Sequence, residues 1–107
     1  VMKKIAFMIL PRQDKFEDLF MQSVNIVCDQ LLLHFNGCTY YEVKGRTDKE
    51  IGKTLSCVKI EIAVPEEDTW LFLQICEFAQ KAIGCKQLMV QLPSGEIQFL
   101  EGKENEN

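Results

Sequence analysis

The stretch Cys57-Val58-Lys59-Ile60-Glu61-Ile62-Ala63-Val64-Pro65-Glu66-Glu67-Asp68 joins a strand to the start of a helix. Its β-branched aliphatic residues, at even positions from 58 to 64, alternate with Cys57, Lys59 and Glu61. A period of two predicts a half-buried strand over residues 54–64, with the aliphatic side chains toward the core. Pro65 ends this pattern, and the three acids after it suit the positive N-terminal end of a helix.

A second β-rich segment, residues 38–44, precedes this strand and holds Tyr40 and Tyr41. The polar residues 45–53 between the two are too few for a helical crossover, so we predict an antiparallel hairpin. In topology, this loop corresponds to the effector loop of nitrogen-regulatory PII-like sensors. A solvated turn and an anion-binding loop both remain open, because Asp48 and Glu50 lie among its basic residues. Those basic candidates are Arg46, Lys49 and Lys53.

Toward the N-terminus, the apolar run 3–10 predicts a central strand that ends at Pro11. Asp14 and Glu17 have the spacing of a capping box, and apolar residues then recur at helical spacing, which predicts a first helix over residues 14–35. Gly37 is expected to end it. The predicted inward stripe of this helix is Phe16, Leu19, Phe20, Ser23, Val24, Val27 and Leu31.

Toward the C-terminus, a second helix is predicted from the acids after Pro65 to a stop before Gly84. Residues 86–92 and 96–100 read as two short strands, because a Pro-Ser-Gly turn separates them. The predicted inward stripe of the second helix is Leu71, Phe72, Ile75, Phe78, Ala79 and Ala82.

The order β-α-β-β-α-β with one appended strand predicts the α+β fold class, as a ferredoxin-like sandwich with two helices on one face of an antiparallel sheet. The first strand is expected between the third and fourth, and the other sheet face is expected to stay open. We expect one domain over residues 1–100 and a polar tail over residues 101–107.

The totals are those of a soluble globular domain. The chain has 107 residues, 47% of them hydrophobic and 26% charged. No apolar run approaches the ~20 residues that cross a bilayer, and no secretory signal is recognisable, so a cytoplasmic location is expected. The net charge of −4 opposes attraction to nucleic acid and to anionic membranes, so neither is an expected partner.

The five cysteines lie at positions 28, 38, 57, 76 and 85, without a Cys-x-x-Cys pair. An odd count with wide spacing fits neither a disulfide framework nor a zinc module. We therefore expect reduced, packed thiols and neither metal nor cofactor.

The open face is the predicted interaction surface. If the even positions of the third strand face the helices, the odd positions are open, together with alternate residues of neighbouring strands. Methionine and tyrosine there would leave a moderately apolar patch that a second copy could cover, so a homodimer is expected. The candidates for a ligand or an interface are Met8, Tyr40 or Tyr41, Cys57, Lys59, Glu61 and Met89.

The sequence gives little support for the functions known from other proteins of this fold. The loop after the first strand lacks the thiols of a copper chaperone, and Arg12 alone makes no anion cradle there. The third strand lacks the aromatics of an RNA reader. His34 suits a helix C-terminus better than catalysis, and no catalytic residue is assigned. A dimeric α+β barrel enzyme for a small organic substrate remains the alternative, because Lys59 and Glu61 share a face.

From Leu10-Pro11-Arg12 to Phe99-Leu100, the chain resembles a group of small bacterial proteins of uncharacterised function. The residues that carry this resemblance include Phe35-Asn36-Gly37-Cys38-Thr39 and Ala63-Val64-Pro65-Glu66-Glu67-Asp68. The resemblance implies a ferredoxin-like fold and no particular activity. The expected function is therefore that of a small binding or interaction module that assembles through its open sheet face, with a small-molecule ligand as a further possibility.

Overall fold

The structure, a computed structural model, describes residues 2–12, 17–46 and 54–102. Within these ranges the chain forms five strands and two α-helices, and a short 3-10 turn leads into the second helix. The elements are β1 (Lys3–Pro11), α1 (Glu17–His34), β2 (Thr39–Arg46), β3 (Thr54–Pro65), α2 (Thr69–Ile83), β4 (Gln87–Gln91) and β5 (Ile97–Glu101).

The five strands form one antiparallel sheet in the order β2-β3-β1-β4-β5. As predicted, β1 lies between β3 and β4, and β2 and β3 form a hairpin. The register pairs Met8 of β1 with Ile60 of β3 on one side and with Val90 of β4 on the other. Because paired residues point to the same side of a sheet, this register assigns one face to each residue of the three central strands.

The core lies between one face of the sheet and the two helices. Ala6, Met8 and Leu10 of β1 are buried there, together with the even positions of β3 from 58 to 64 and with Leu88 and Val90. These residues join the buried faces of α1 and α2 in one apolar cluster. The α+β arrangement with both helices on one face is therefore confirmed. The helices cover the side of the sheet on which β3 carries its aliphatic residues.

Element boundaries differ from the predictions at the end of β2 and at the start of α2, which begins at Thr69 because Glu66–Asp68 form the 3-10 turn. β2 extends to Arg46, because Gly45 and Arg46 pair with Leu55 and Thr54, so the first two residues of the predicted loop belong to the strand. The described part of α1 begins at Glu17, and Asp14 of the predicted capping box lies outside the described residues. Gly37, with φ of 72°, and Gly84, with φ of 77°, follow the two helices in the left-handed conformation that glycine adopts cheaply.

Two residues assigned to inward stripes lie outside the core. Leu19 of α1 and Phe78 of α2 are exposed, whereas the other described members of their stripes are buried or half-buried; Phe16 lies outside the described residues. Cys28, Cys76 and Ile83 are buried in addition to the predicted positions. The apolar surface of each helix is therefore wider than the sheet can cover.

α2 ends against the last hairpin through a buried polar side chain. The Gln80 amide donates to the carbonyl of Leu100 at 2.8 Å and to that of Lys86 at 3.3 Å.

Within the described part of the chain, neither helix is long and apolar enough to cross a membrane.

Candidate functional site: the open face of the sheet

The open face, which we define as the side of the sheet turned away from α1 and α2, is formed by odd-numbered positions on all five strands. One row crosses the whole sheet, because Lys59 pairs with both Tyr41 and Ile9, and Met89 pairs with both Ile9 and Phe99. The face comprises Ile5, Phe7, Ile9, Thr39, Tyr41, Val43, Cys57, Lys59, Glu61, Ala63, Gln87, Met89, Gln91, Ile97, Phe99 and Glu101.

Much of this face is apolar and accessible. Ile5, Tyr41, Ile97 and Phe99 are exposed, and Phe7, Ile9 and Met89 are half-buried between them. Scattered surface apolar residues are ordinary, but apolar side chains grouped on β1, β4 and β5, with Tyr41 beyond β3, are typical of a surface that contacts something else.

Lys59 and Glu61 form a charged pair in the middle of this apolar surface. The Lys59 Nζ atom lies 3.3 Å from a Glu61 carboxylate oxygen, and their side chains are only 22% and 31% exposed. The same ammonium lies 4.2 Å from the Phe7 ring centroid and 5.9 Å from that of Tyr41. An aromatic ring attracts a cation at these distances, so the Phe7 ring and the Glu61 carboxylate together hold the Lys59 ammonium in place.

The structure brings together Tyr41, Cys57, Lys59, Glu61 and Met89, five of the seven candidates from the open-face prediction.

Met8 was predicted on this face and is instead 0% exposed on the helix side, as is its neighbour Ala6. The reason is the register, which sets Met8 opposite Ile60. Tyr40 also pairs with Ile60 and so belongs to the helix side, at the edge of the sheet, which leaves Tyr41 as the tyrosine of the open face.

Phe7, Ile9, Ile97 and Phe99 were not among the predicted site residues. Phe7 and Ile9 turn outward only once the register assigns Met8 and Leu10 to the core. The strand β1 is apolar at both sets of positions, so the sequence alone did not choose between them.

Cys57 is buried at one end of the open face and is not an activated nucleophile. Burial raises the pKa of its thiol, and the positive charge of Arg12 opposes that effect only in part. Burial likewise raises the pKa of Cys76 and Cys85, and it raises that of Cys28 from 9.0 to about 12. All five cysteines are free thiols, as predicted.

We expect thiol labelling to separate Cys38, which is half-buried, from the four buried cysteines. At pH 8 in dithionitrobenzoate, Cys38 should react first, because each unit of raised pKa lowers the thiolate fraction of a buried cysteine about tenfold. Urea should make the other four thiols reactive, and Cys38→Ser should remove the fast phase.

The unfolding free energy should also fall as the pH rises above 9.0, since the thiols of the unfolded chain ionise before the buried ones of the folded chain.

Arg12 ties several elements together at the end of β1. Its guanidinium binds Glu17 of α1 and, at 2.6 Å, Glu42 of β2, and it donates to the Ser56 hydroxyl at 3.2 Å. It also lies 4.9 Å from the ring centroid of Phe20. The hydrogen bond with Glu17 is the main reason that the pKa of Arg12 is raised. With two carboxylates as partners, this arginine is engaged in holding the fold.

The loop candidates are located only in part. Arg46 is the last residue of β2, opposite Thr54 of β3, whereas Lys49 and Lys53 lie outside the described residues. The anion-binding role of the loop 45–53 stays a prediction.

A groove of about 1150 Å³ lies elsewhere, between the end of α2 and β5. Gln80 lines it, but the amide of that residue already donates to two carbonyls. In residues 2–12, 17–46 and 54–102, no buried side-chain polar atom lacks a hydrogen-bond partner, and no group of three or more His, Cys, Asp or Glu side chains could hold a metal ion. None of the described buried polar atoms around this groove therefore awaits a ligand.

No family model and no curated protein matches the chain. Solved structures that resemble it over nearly its whole length include a phage SAM lyase in the apo state and a phage SAM lyase in complex with S-methyl-5'-thioadenosine. Both give a TM-score of 0.66 and cover 97% of this chain, with 94% and 93% of the lyase chains covered and sequence identities of 13% and 14%. At this identity the likeness shows a shared small α+β fold.

Proposed function

We propose that the chain is a ferredoxin-like binding module whose functional surface is the open face of its sheet. The strand order, with β1 between β3 and β4, supports this fold assignment. The row across the sheet, apolar at Tyr41, Ile9, Met89 and Phe99 and interrupted by Lys59, supports the choice of surface, because exposed apolar area gains by being covered. In this proposal a second copy of the chain covers the face and forms a homodimer.

The ligand that this face suits best is a small molecule that combines an aromatic ring with charge. The observation that carries the proposal is the Lys59–Glu61 pair, partly desolvated and placed beside Phe7 and Tyr41. The aromatic rings can stack on a flat ring system, the ammonium can bind a carboxylate, and the carboxylate can bind a cation. The site between two copies would then offer partners for both ends of a zwitterion.

We propose adenosine-derived sulfur compounds as the ligand class, with S-methyl-5'-thioadenosine and SAM as its representatives. The supporting observation is the full-length likeness to phage SAM lyases. An adenine ring matches the aromatic part of the face, and SAM adds a sulfonium, an ammonium and a carboxylate. A lyase acting on SAM is the second candidate function, in which the Glu61 carboxylate would attract the positively charged sulfonium.

Calorimetric titration tests the ligand class. We expect S-methyl-5'-thioadenosine and SAM to bind more tightly than adenosine does, and Lys59→Met to lower the affinity for SAM about tenfold because it removes a charged partner. Lys44→Met is the matched control, since Lys44 is an exposed lysine on β2 outside the open face. Equal SAM affinity in Lys59→Met and Lys44→Met, or no binding to the wild-type chain, would refute the ligand class. Either result would leave the homodimer proposal unaffected.

Loss of SAM, followed by mass spectrometry, separates binding from catalysis. A lyase should break the bond between the sulfonium sulfur and the amino-acid fragment of SAM: the sulfur keeps the electron pair and leaves as S-methyl-5'-thioadenosine, and the carboxylate of the fragment closes on the same carbon to give a lactone. The wild-type chain should form both products, and Glu61→Gln should lose this activity. Intact SAM after incubation with a chain that binds it would leave the binding module as the function.

Light scattering tests the homodimer. Met89→Lys places a charge at the centre of the open face, where Met89 pairs with Ile9 and Phe99. We expect this variant to keep its circular dichroism spectrum and to lose the assembly through this face, because a buried interface rarely tolerates an unpaired charge. An unchanged mass in the folded variant would contradict the assembly through this face.

A further inference from the structure

α1 carries a second apolar surface on its outer side. Leu19, Ile26 and Leu33 are 51%, 48% and 71% exposed, although the helix already buries a separate apolar face against the sheet. The three residues are spaced by seven, which is close to two helical turns, so they form one stripe on the side of the helix opposite Val24 and Leu31.

The stripe is symmetric about its middle residue. Ile26 lies seven positions from Leu19 and seven from Leu33. In an antiparallel pair of such helices, Ile26 meets the partner's Ile26, and each Leu19 meets the partner's Leu33. A surface that matches itself under a two-fold rotation is the requirement for an isologous interface.

We propose that this outer stripe binds a second copy of the chain, with the two α1 helices antiparallel and the two-fold axis at Ile26. This interface lies on the opposite side of the molecule from the open face and goes beyond the homodimer proposed above.

The polar residues beside the stripe favour the antiparallel arrangement. Two polar residues flank the stripe on the same side. Gln22 lies four residues before Ile26, and Asp29 lies three residues after it. The antiparallel pair keeps the two flanking positions on one side of the seam and sets Asp29 near the partner's Gln22, which can donate to it. It also brings the acidic first turn of each α1 to the end of the other helix that carries His34.

The area is sufficient for a specific contact. α2 lies beside α1, as the hydrogen bond from the Ser23 hydroxyl to the Ala82 carbonyl shows, and its exposed Phe78 extends the apolar surface one turn from Ala82. With 18 and 15 residues, the helices are about 27 Å and 22 Å long and about 10 Å wide, so two facing layers cover roughly 1,000 Å² in total. Specific interfaces begin at about that size.

Two isologous faces on opposite sides of the molecule have two-fold axes that do not intersect, so together they link chains into an open array. Light scattering of wild type, Ile26→Lys, Met89→Lys and the double variant therefore tests the two interfaces separately. We expect assemblies of more than two chains, growing with concentration, for the wild type, two chains for each single variant and one for the double variant. Leu32→Lys is the matched control and should match the wild type, because Leu32 is 51% exposed on α1 but about 120° away from the stripe. A mass for folded Ile26→Lys equal to that of the wild type, or a single-chain wild type, would overturn this inference.

A crosslink gives the same answer without relying on a disruptive charge. Ile26→Cys should form a chain-to-chain disulfide in diamide, seen as a doubled mass on a non-reducing gel, because the two-fold axis brings the two new thiols together. Leu32→Cys should stay at the mass of one chain. Equal crosslinking of both variants, or none in either, would show that α1 does not pair in this way.

Discussion

Met8→Lys is expected to prevent folding, whereas Met89→Lys leaves the fold intact. Met8 is 0% exposed and lies between Ile60 and Val90 in the centre of the sheet. A lysine there would bury an unpaired ammonium at a cost of several kcal/mol, a large part of the ~5–15 kcal/mol that stabilises a typical domain. Circular dichroism and thermal melting measure the difference between these two methionines.

The comparison tests which face of β1 meets the helices. A folded Met8→Lys chain with an altered mass would mean that Met8 belongs to the open face, as the alternation first suggested. A folded Met89→Lys chain beside an unfolded Met8→Lys chain would confirm the register that the structure gives.

Phe72→Ala is expected to lower the unfolding free energy by about 3–5 kcal/mol. Phe72 is fully buried on α2 and belongs to the same apolar cluster as Met8 and Ile60, so truncation leaves a cavity that the sheet cannot close. Urea unfolding followed by circular dichroism measures the loss, at one fixed chain concentration, since assembly adds to apparent stability.

Trp70→Ala is the control on the same helix. Trp70 is exposed, so its truncation should cost less than about 1 kcal/mol. Similar losses for Phe72→Ala and Trp70→Ala would contradict the placement of the α2 core face.

The two proposed contact surfaces have different origins. The open face results from a sheet with helices on one side only, and its Lys59–Glu61 pair gives it chemical character beyond apolar area. The outer stripe of α1 is apolar alone, which suits assembly better than ligand binding. Separate probes at Met89 and Ile26 are informative because the sheet and the helix layer lie on opposite sides of the core.

The sequence by itself determined the element order, the hairpin of β2 and β3, and which side of β3 is buried. Along β3, the aliphatic residues at 58, 60, 62 and 64 face the opposite way from Lys59 and Glu61. The aliphatic side must therefore be the buried one, because only that choice keeps the two charges near water. The free thiols also followed from the number and spacing of the cysteines.

Only the tertiary structure decided which face of β1 and which tyrosine belong to the open side. β1 is apolar at both odd and even positions, so its pattern carries no preference, and the pairing of Met8 with Ile60 makes the choice. The same register separates Tyr40 from Tyr41. The exposure of Leu19 and Phe78 was likewise beyond the sequence, because periodicity predicts an apolar side of a helix but not how much of it a sheet of finite width can cover.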